Sequence, residues 1–243
     1  MRTIIRGCSL AFLAASLAFP AAAMDNDQTV FWRVDGLVER RASSVAPDTA
    51  WEASAWIGGD SDKLRIENRG VVGDDGRIDN EGGTEGVDTR LYYSRMIAPF
   101  WDAKAGVQFS FFDNGVKRSG FLAGVQGLAP YGIHVDAVAG INELAIVSAR
   151  LDVAYDVLLS QKLIARPFVG AMFASADDPA TGLGQGVPRI EVGLRLRYEI
   201  EKEVAPFIGV DFEQFTGATA AFAAANSEPA SNLRALAGLK VWF

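Results

Sequence analysis

Long apolar runs, cysteine, histidine and surplus positive charge are all scarce in this chain of 243 residues. It has one cysteine, Cys8, and one histidine, His134. A lone cysteine makes no internal disulfide and no cysteine-type zinc site, and a lone histidine leaves no histidine cage. Lys and Arg number 23 against 30 Asp and Glu, for a net charge of −7, so the electrostatic footprint of a nucleic-acid binder is missing. Past residue 23 no stretch reaches the 18 consecutive apolar residues of a membrane-crossing helix. What the chain does have is 49% hydrophobic and 10% aromatic residues, which excludes a disordered polymer.

The first residues form a three-part leader. Arg2 and Arg6 precede an apolar run over 8–19, then Pro20 and Ala21-Ala22-Ala23, a small-residue cleavage site. This pattern predicts a secretory signal peptide over 1–23 and a mature chain over 24–243 with a net charge of −9 and no cysteine. The chain is therefore expected to be exported.

The mature sequence alternates with a period of two. Ile190, Val192, Leu194, Leu196, Tyr198 and Ile200 are apolar, while Glu191, Arg195, Arg197 and Glu199 stand between them. Residues two apart share a face on a strand and not on a helix. The same period recurs over 30–40, 51–58, 63–70, 87–96, 103–111, 119–128, 133–139, 151–157, 163–173, 204–214 and 235–243. Short links near 59–62, 98–101, 129–132, 160–162 and 201–203 alternate with longer ones near 41–50, 73–86, 113–118, 142–148, 174–189 and 216–231.

An even strand count with alternating link lengths predicts an all-β fold, a transmembrane antiparallel β-barrel of the outer membrane with about 12 strands. A soluble sandwich would alternate too. Strand lengths near the ~9–11 residues of a membrane stave favour the barrel. So do the aromatics beside the short turns, Tyr93, Phe100, Trp101, Tyr131, Tyr198 and Phe243, placed as an interfacial girdle. Inward charges are then expected to pair as Arg150 with Asp152, Glu191 with Arg195, and Arg197 with Glu199. The acidic excess predicts a lumen that favours cations.

Six stretches resemble the copper resistance protein B family of the Gram-negative outer membrane: 51–70 (WEASAWIGGDSDKLRIENRG), 93–109 (YSRMIAPFWDAKAGVQF), 125–132 (VQGLAPYG), 149–167 (ARLDVAYDVLLSQKLIARP), 193–212 (GLRLRYEIEKEVAPFIGVDF) and 236–243 (LAGLKVWF). The resemblance implies a barrel in outer-membrane lipid that binds copper or passes it across, with periplasmic copper-resistance proteins as partners. It departs at the front, where 24–28 (MDNDQ) stands in place of a Met- and His-rich segment, and at Arg65, where Trp is frequent.

Given copper as cargo, soft donors matter, because reduced copper prefers thioether and imidazole. By strand parity Met96, His134 and Met172 face the lumen. Met96 and His134 lie near short turns, and Met172 near a long loop. Met96 with His134, assisted by Asp136 or Asp102, is the expected metal cluster. The general alternative is a cation channel or a structural barrel without specific metal binding. No enzyme is expected, since a nucleophile needs an adjacent, oriented base and the one histidine sits far from outer-leaflet lipid. Asp74, Asp75, Asp79, Glu81, Glu85 and Asp88 are expected to form a solvated acidic loop. Gly182, Gly184 and Gly186 lack the lysine and the following Ser or Thr of a phosphate loop.

Overall fold

The computed structural model describes residues 30–43, 47–74, 76–78, 86–201 and 203–243. The expected signal peptide over 1–23, Met24 and the acidic residues Asp75, Asp79, Glu81 and Glu85 lie outside the described residues.

Thirteen strand segments run in chain order: β1 (Phe31–Ala42), β2 (Asp48–Gly58), β3 (Asp62–Gly73), β4 (Val87–Ala98), β5 (Trp101–Phe111), β6 (Lys117–Ala129), β7 (Ile133–Asn142), β8 (Val147–Tyr155), β9 (Val157–Leu158), β10 (Leu163–Ala174), β11 (Arg189–Tyr198), β12 (Val204–Phe215) and β13 (Ser231–Trp242). Segments β8 and β9 both pair with β10 and are parted only by Asp156, so they form one stave. Twelve antiparallel staves result, and β1 pairs with β13 to close them into a barrel. Closure leaves no sheet edge, which hydrocarbon demands because it offers no partner for a bare N–H or C=O.

Register decides which face each residue takes. In the β11–β12 pair, Leu194 stands opposite Val210 and Leu196 opposite Ile208, all turned outward. They are 45%, 52% and 62% exposed for Leu194, Val210 and Ile208, values that a water-facing wall of such residues would not sustain. Tyr93, Phe100, Tyr131, Tyr198 and Phe243 are exposed at the short-turn end, as a girdle requires, with Phe31, Trp32 and Tyr155 beside them. Trp101 instead lies partly covered over Gly127 of the neighbouring stave.

Inside, aromatic rings lie over glycines. A Cβ on Gly193 would sit 2.5 Å from the Phe168 ring, and one on Gly238 would sit 2.5 Å from Phe207. Both rings flank the Arg195 guanidinium, which stands 4.4 Å from the Phe168 centroid and 5.8 Å from that of Phe207. Gly193→Val should therefore overpack the lumen and cost about 1–3 kcal/mol of unfolding free energy, measured by urea unfolding of the refolded barrel. Adding Phe168→Ala should recover part of that loss. Equal loss in the single and double variants would make backbone propensity the cause instead of crowding.

The long links depart from simple loops. Residues 217–225 form a helix, α1 (Gly217–Ala225), where the sequence reading expected a Gly-rich connection. Six of its nine residues are alanine, the strongest helix former, and period-two reading does not register it. The 175–188 segment folds back over the barrel mouth. Asp178 is 4% exposed and takes two hydrogen bonds from Arg118 at 2.8 and 3.0 Å. Asn114 donates to the Ala180 carbonyl, and the Gly184 N–H donates to the Thr219 hydroxyl at the start of α1. Asp88, expected in the acidic loop, is the second residue of β4 and points inward beside Arg69 and Arg90.

Candidate functional site

The lumen holds a chamber of about 920 Å³ that reaches from the short-turn end past the middle of the staves. Met96, Asp102, His134 and Asp136 all line it. Met172 lies instead on a separate cavity of about 110 Å³ beneath the 175–188 segment. Parity reading thus gives the correct face for all five residues, and the structure assigns them to two compartments.

Ladder register fixes how the four chamber residues relate. Met96 pairs with Asp102, Asp102 with Gln126, and Gln126 with Asp136, a single row across β4 to β7. His134 is two residues nearer the turn end, opposite Leu128. Three strand spacings of ~4.8 Å separate Met96 from the His134 stave, roughly 14 Å along the wall.

The carboxylates are already engaged. Lys104, 4% exposed, donates to both oxygens of Asp136 at 2.7 Å, and its ammonium stands 5.2 Å from the Tyr92 ring centroid. Lys63 bonds Asp102 at 3.2 Å. His134 Nε2 faces Asp156 Oδ2 at 3.8 Å, and the same carboxylate takes Arg166 at 3.2 Å and Arg197 at 3.6 Å. Among the described residues no group of three or more His, Cys, Asp or Glu side chains could hold a metal ion.

Asp156, Lys104 and Lys63 were not singled out by sequence. Each is an inward residue by parity, and only the register of the neighbouring staves reveals its partner. Asp156 also interrupts its stave, a break that alternation alone does not display.

Two of the three expected ion pairs form. Arg150 bonds Asp152 at 2.8 Å and Arg197 bonds Glu199 at 3.2 Å. Glu191 and Arg195 do not pair: Glu191 takes Arg189 at 3.0 Å and Arg234 at 3.5 Å, while Arg195 crosses to Glu39 at 3.0 Å. Four residues along a strand span about 13 Å, farther than two side chains on one stave bridge, whereas curvature brings other staves close.

The chamber is also electrically balanced. Glu52, Glu67, Asp102, Asp136, Asp152 and Glu191 line it with Lys63, Arg69, Arg90, Arg150, Arg166 and Arg195. The acidic excess of the chain does not reside on this wall, so the expected preference for cations has no source in it.

Comparison with known proteins is consistent with this architecture. The porin NanC superposes with a TM-score of 0.54 at 13% identity, over 86% of this chain and 98% of that one. The KdgM porin gives 0.52 at 9% identity, over 86% and 99%. At such identities the likeness establishes the fold, an outer-membrane barrel.

Sequence relatives are closer. Copper resistance protein B of Escherichia coli is 34% identical over 206 residues, 85% of this chain and 67% of its own length. A copper resistance protein B homolog of Pseudomonas syringae pv. tomato is 34% identical over 194 residues, 80% of this chain and 63% of its own. The chain thus matches about two thirds of the length of each. The family model described as copper resistance protein B precursor (CopB) matches residues 29–243, every stave of the barrel. The chain belongs to the copper resistance protein B family.

Proposed function

We propose that this barrel serves copper tolerance by taking copper ions into its turn-end chamber, where they meet Met96 and His134 in succession. The observation that carries this reading is the common chamber: a thioether and an imidazole, the donors soft copper prefers, line one space together with Asp102 and Asp136. Separated donors suit a transient cargo, because each weak contact lets the ion leave as readily as it enters. Met172 lies beyond, in the smaller cavity. Copper is cargo here, and no bond-making step is assigned to any residue.

Deletion of the gene should raise copper sensitivity, and His134→Ala combined with Met96→Leu should reproduce part of that effect. Copper titration of the refolded barrel should show weak binding that the double substitution removes. Unchanged copper tolerance in the deletion strain would count decisively against this reading.

A second reading has its own observation in favour: Lys104 and Lys63 already occupy the two carboxylates, and the wall has no net charge. On that reading the protein is a general channel or a structural barrel. Planar-bilayer conductance separates the two. Equal permeability to several ions, with no copper binding in titration, selects the second.

A further inference from the structure

The cavity of about 110 Å³ under the 175–188 segment differs from the chamber in charge. Its charged lining is four guanidiniums, Arg69, Arg90, Arg118 and Arg150, against two carboxylates, Asp88 and Asp178. Asp178 is committed to Arg118 by two hydrogen bonds at 2.8 and 3.0 Å. Asp88 stands 3.7 Å from Arg69 and 3.6 Å from Arg90, beyond hydrogen-bond length to either. The buried Arg69 Nε has no hydrogen-bond partner. Three more carboxylates approach from outside: Asp152 on Arg150, Glu143 on Arg118, and Glu67 opposite Arg90 in the β3–β4 ladder. The first two have side chains 42% and 41% exposed, and water screens them.

A buried guanidinium N–H without a hydrogen-bond partner, as at Arg69, is costly, and a guanidinium fork fits an oxyanion bidentately. The Ser110 and Ser148 hydroxyls line the same space and supply neutral donors, while the Thr181 hydroxyl donates to the Asp178 carbonyl. The volume equals about three to four waters at ~30 Å³ each, enough for one small oxyanion.

We infer that this cavity is a binding site for a small oxyanion of the phosphate or sulfate type, held between Arg69 and Arg90 and enclosed by the Arg118–Asp178 latch. The site lies at the loop end of the barrel, past the copper chamber, and Arg69, Arg90 and Arg150 form the partition between the two spaces. It stands independently of the copper reading, since none of Met96, His134, Asp102 or Asp136 lines it.

Calorimetric titration of the refolded full barrel with sodium phosphate, at fixed ionic strength made up with chloride, tests the site. Saturable one-to-one binding is expected, with sodium sulfate competing. A short-chain phosphatidic acid should not compete, because its acyl chains do not fit the cavity; competition by it would point to a lipid headgroup and overturn the enclosed site. Arg69→Gln and Arg90→Gln should each weaken phosphate by roughly tenfold or more, a factor that corresponds to about 1.4 kcal/mol at 25 °C. Arg33→Gln, at the opposite end beside Asp35, should leave binding unchanged. If either cavity variant fails to fold, Arg69→Lys serves instead, since it keeps the charge but loses the fork. Absence of saturable binding would overturn the site, as would equal weakening by Arg33→Gln.

Discussion

Arg234→Met should destabilise the barrel more than any other single lumenal substitution. The Arg234 side chain is 3% exposed and meets Asp211 at 2.9 Å through Nε and Glu213 at 3.2 Å through Nη1, with Glu191 at 3.5 Å from Nη2. Asp211 and Glu213 are themselves 1% and 4% exposed at the side chain. Methionine fills the volume but leaves those carboxylates with Arg189 as the remaining neighbour seen to pair with Glu191 and Glu213. Removing one partner of a buried pair costs about 3–5 kcal/mol, because the abandoned charge keeps its desolvation penalty. Urea unfolding in lipid vesicles and the heat-induced gel shift of folded barrel would both report it. Arg33→Met is the control. Its pair with Asp35 has side chains 46% and 25% exposed, and loss of such a pair should cost under about 1 kcal/mol. Equal shifts in the two variants would refute the idea that burial makes the Arg234 hub a main support of the loop end.

On the outer face, Leu194→Arg should cost about 2–4 kcal/mol, the range for a cation facing lipid at mid-depth. Leu194 lies in the middle of β11, turned away from the lumen and 45% exposed. The same change at Ile200, past the end of β11 near the short turns, should cost about 0–1 kcal/mol, since an arginine there reaches the interface. The contrast between the two sites is the measurement that matters. A soluble sheet would tolerate both substitutions alike, because both side chains would already face water. Vesicle-refolded protein is therefore required, and a flat response across depth would contradict a lipid-facing wall.

Period-two alternation was enough to find all twelve staves, their order and the two kinds of connection. It was weakest at stave ends. β13 begins at Ser231 and β8 at Val147, each about four residues before the alternation becomes visible. Ladder hydrogen bonds extend a strand into polar residues that carry no hydrophobic signal. α1 was invisible for a related reason, since an alanine run has no alternation to break.

At the site, parity placed Met96, Asp102, His134, Asp136 and Met172 inward, and length along each stave put the first four at the turn end. Partners were another matter. Glu191 and Arg195 looked like a pair because they share a face, yet each is met by a different stave. The chain's acidic balance likewise said nothing about the chamber wall, where charges cancel.

Sequence alone pointed to a closed, lipid-facing sheet of about twelve staves, because alternation, link length and the need to pair every backbone group are local or one-dimensional facts. Tertiary structure alone decided which inward charges meet, how the 175–188 segment seals one end, and that the soft donors stand in succession. Those outcomes depend on register between staves and on curvature across the lumen, which bring together residues as distant in the chain as Glu39 and Arg195.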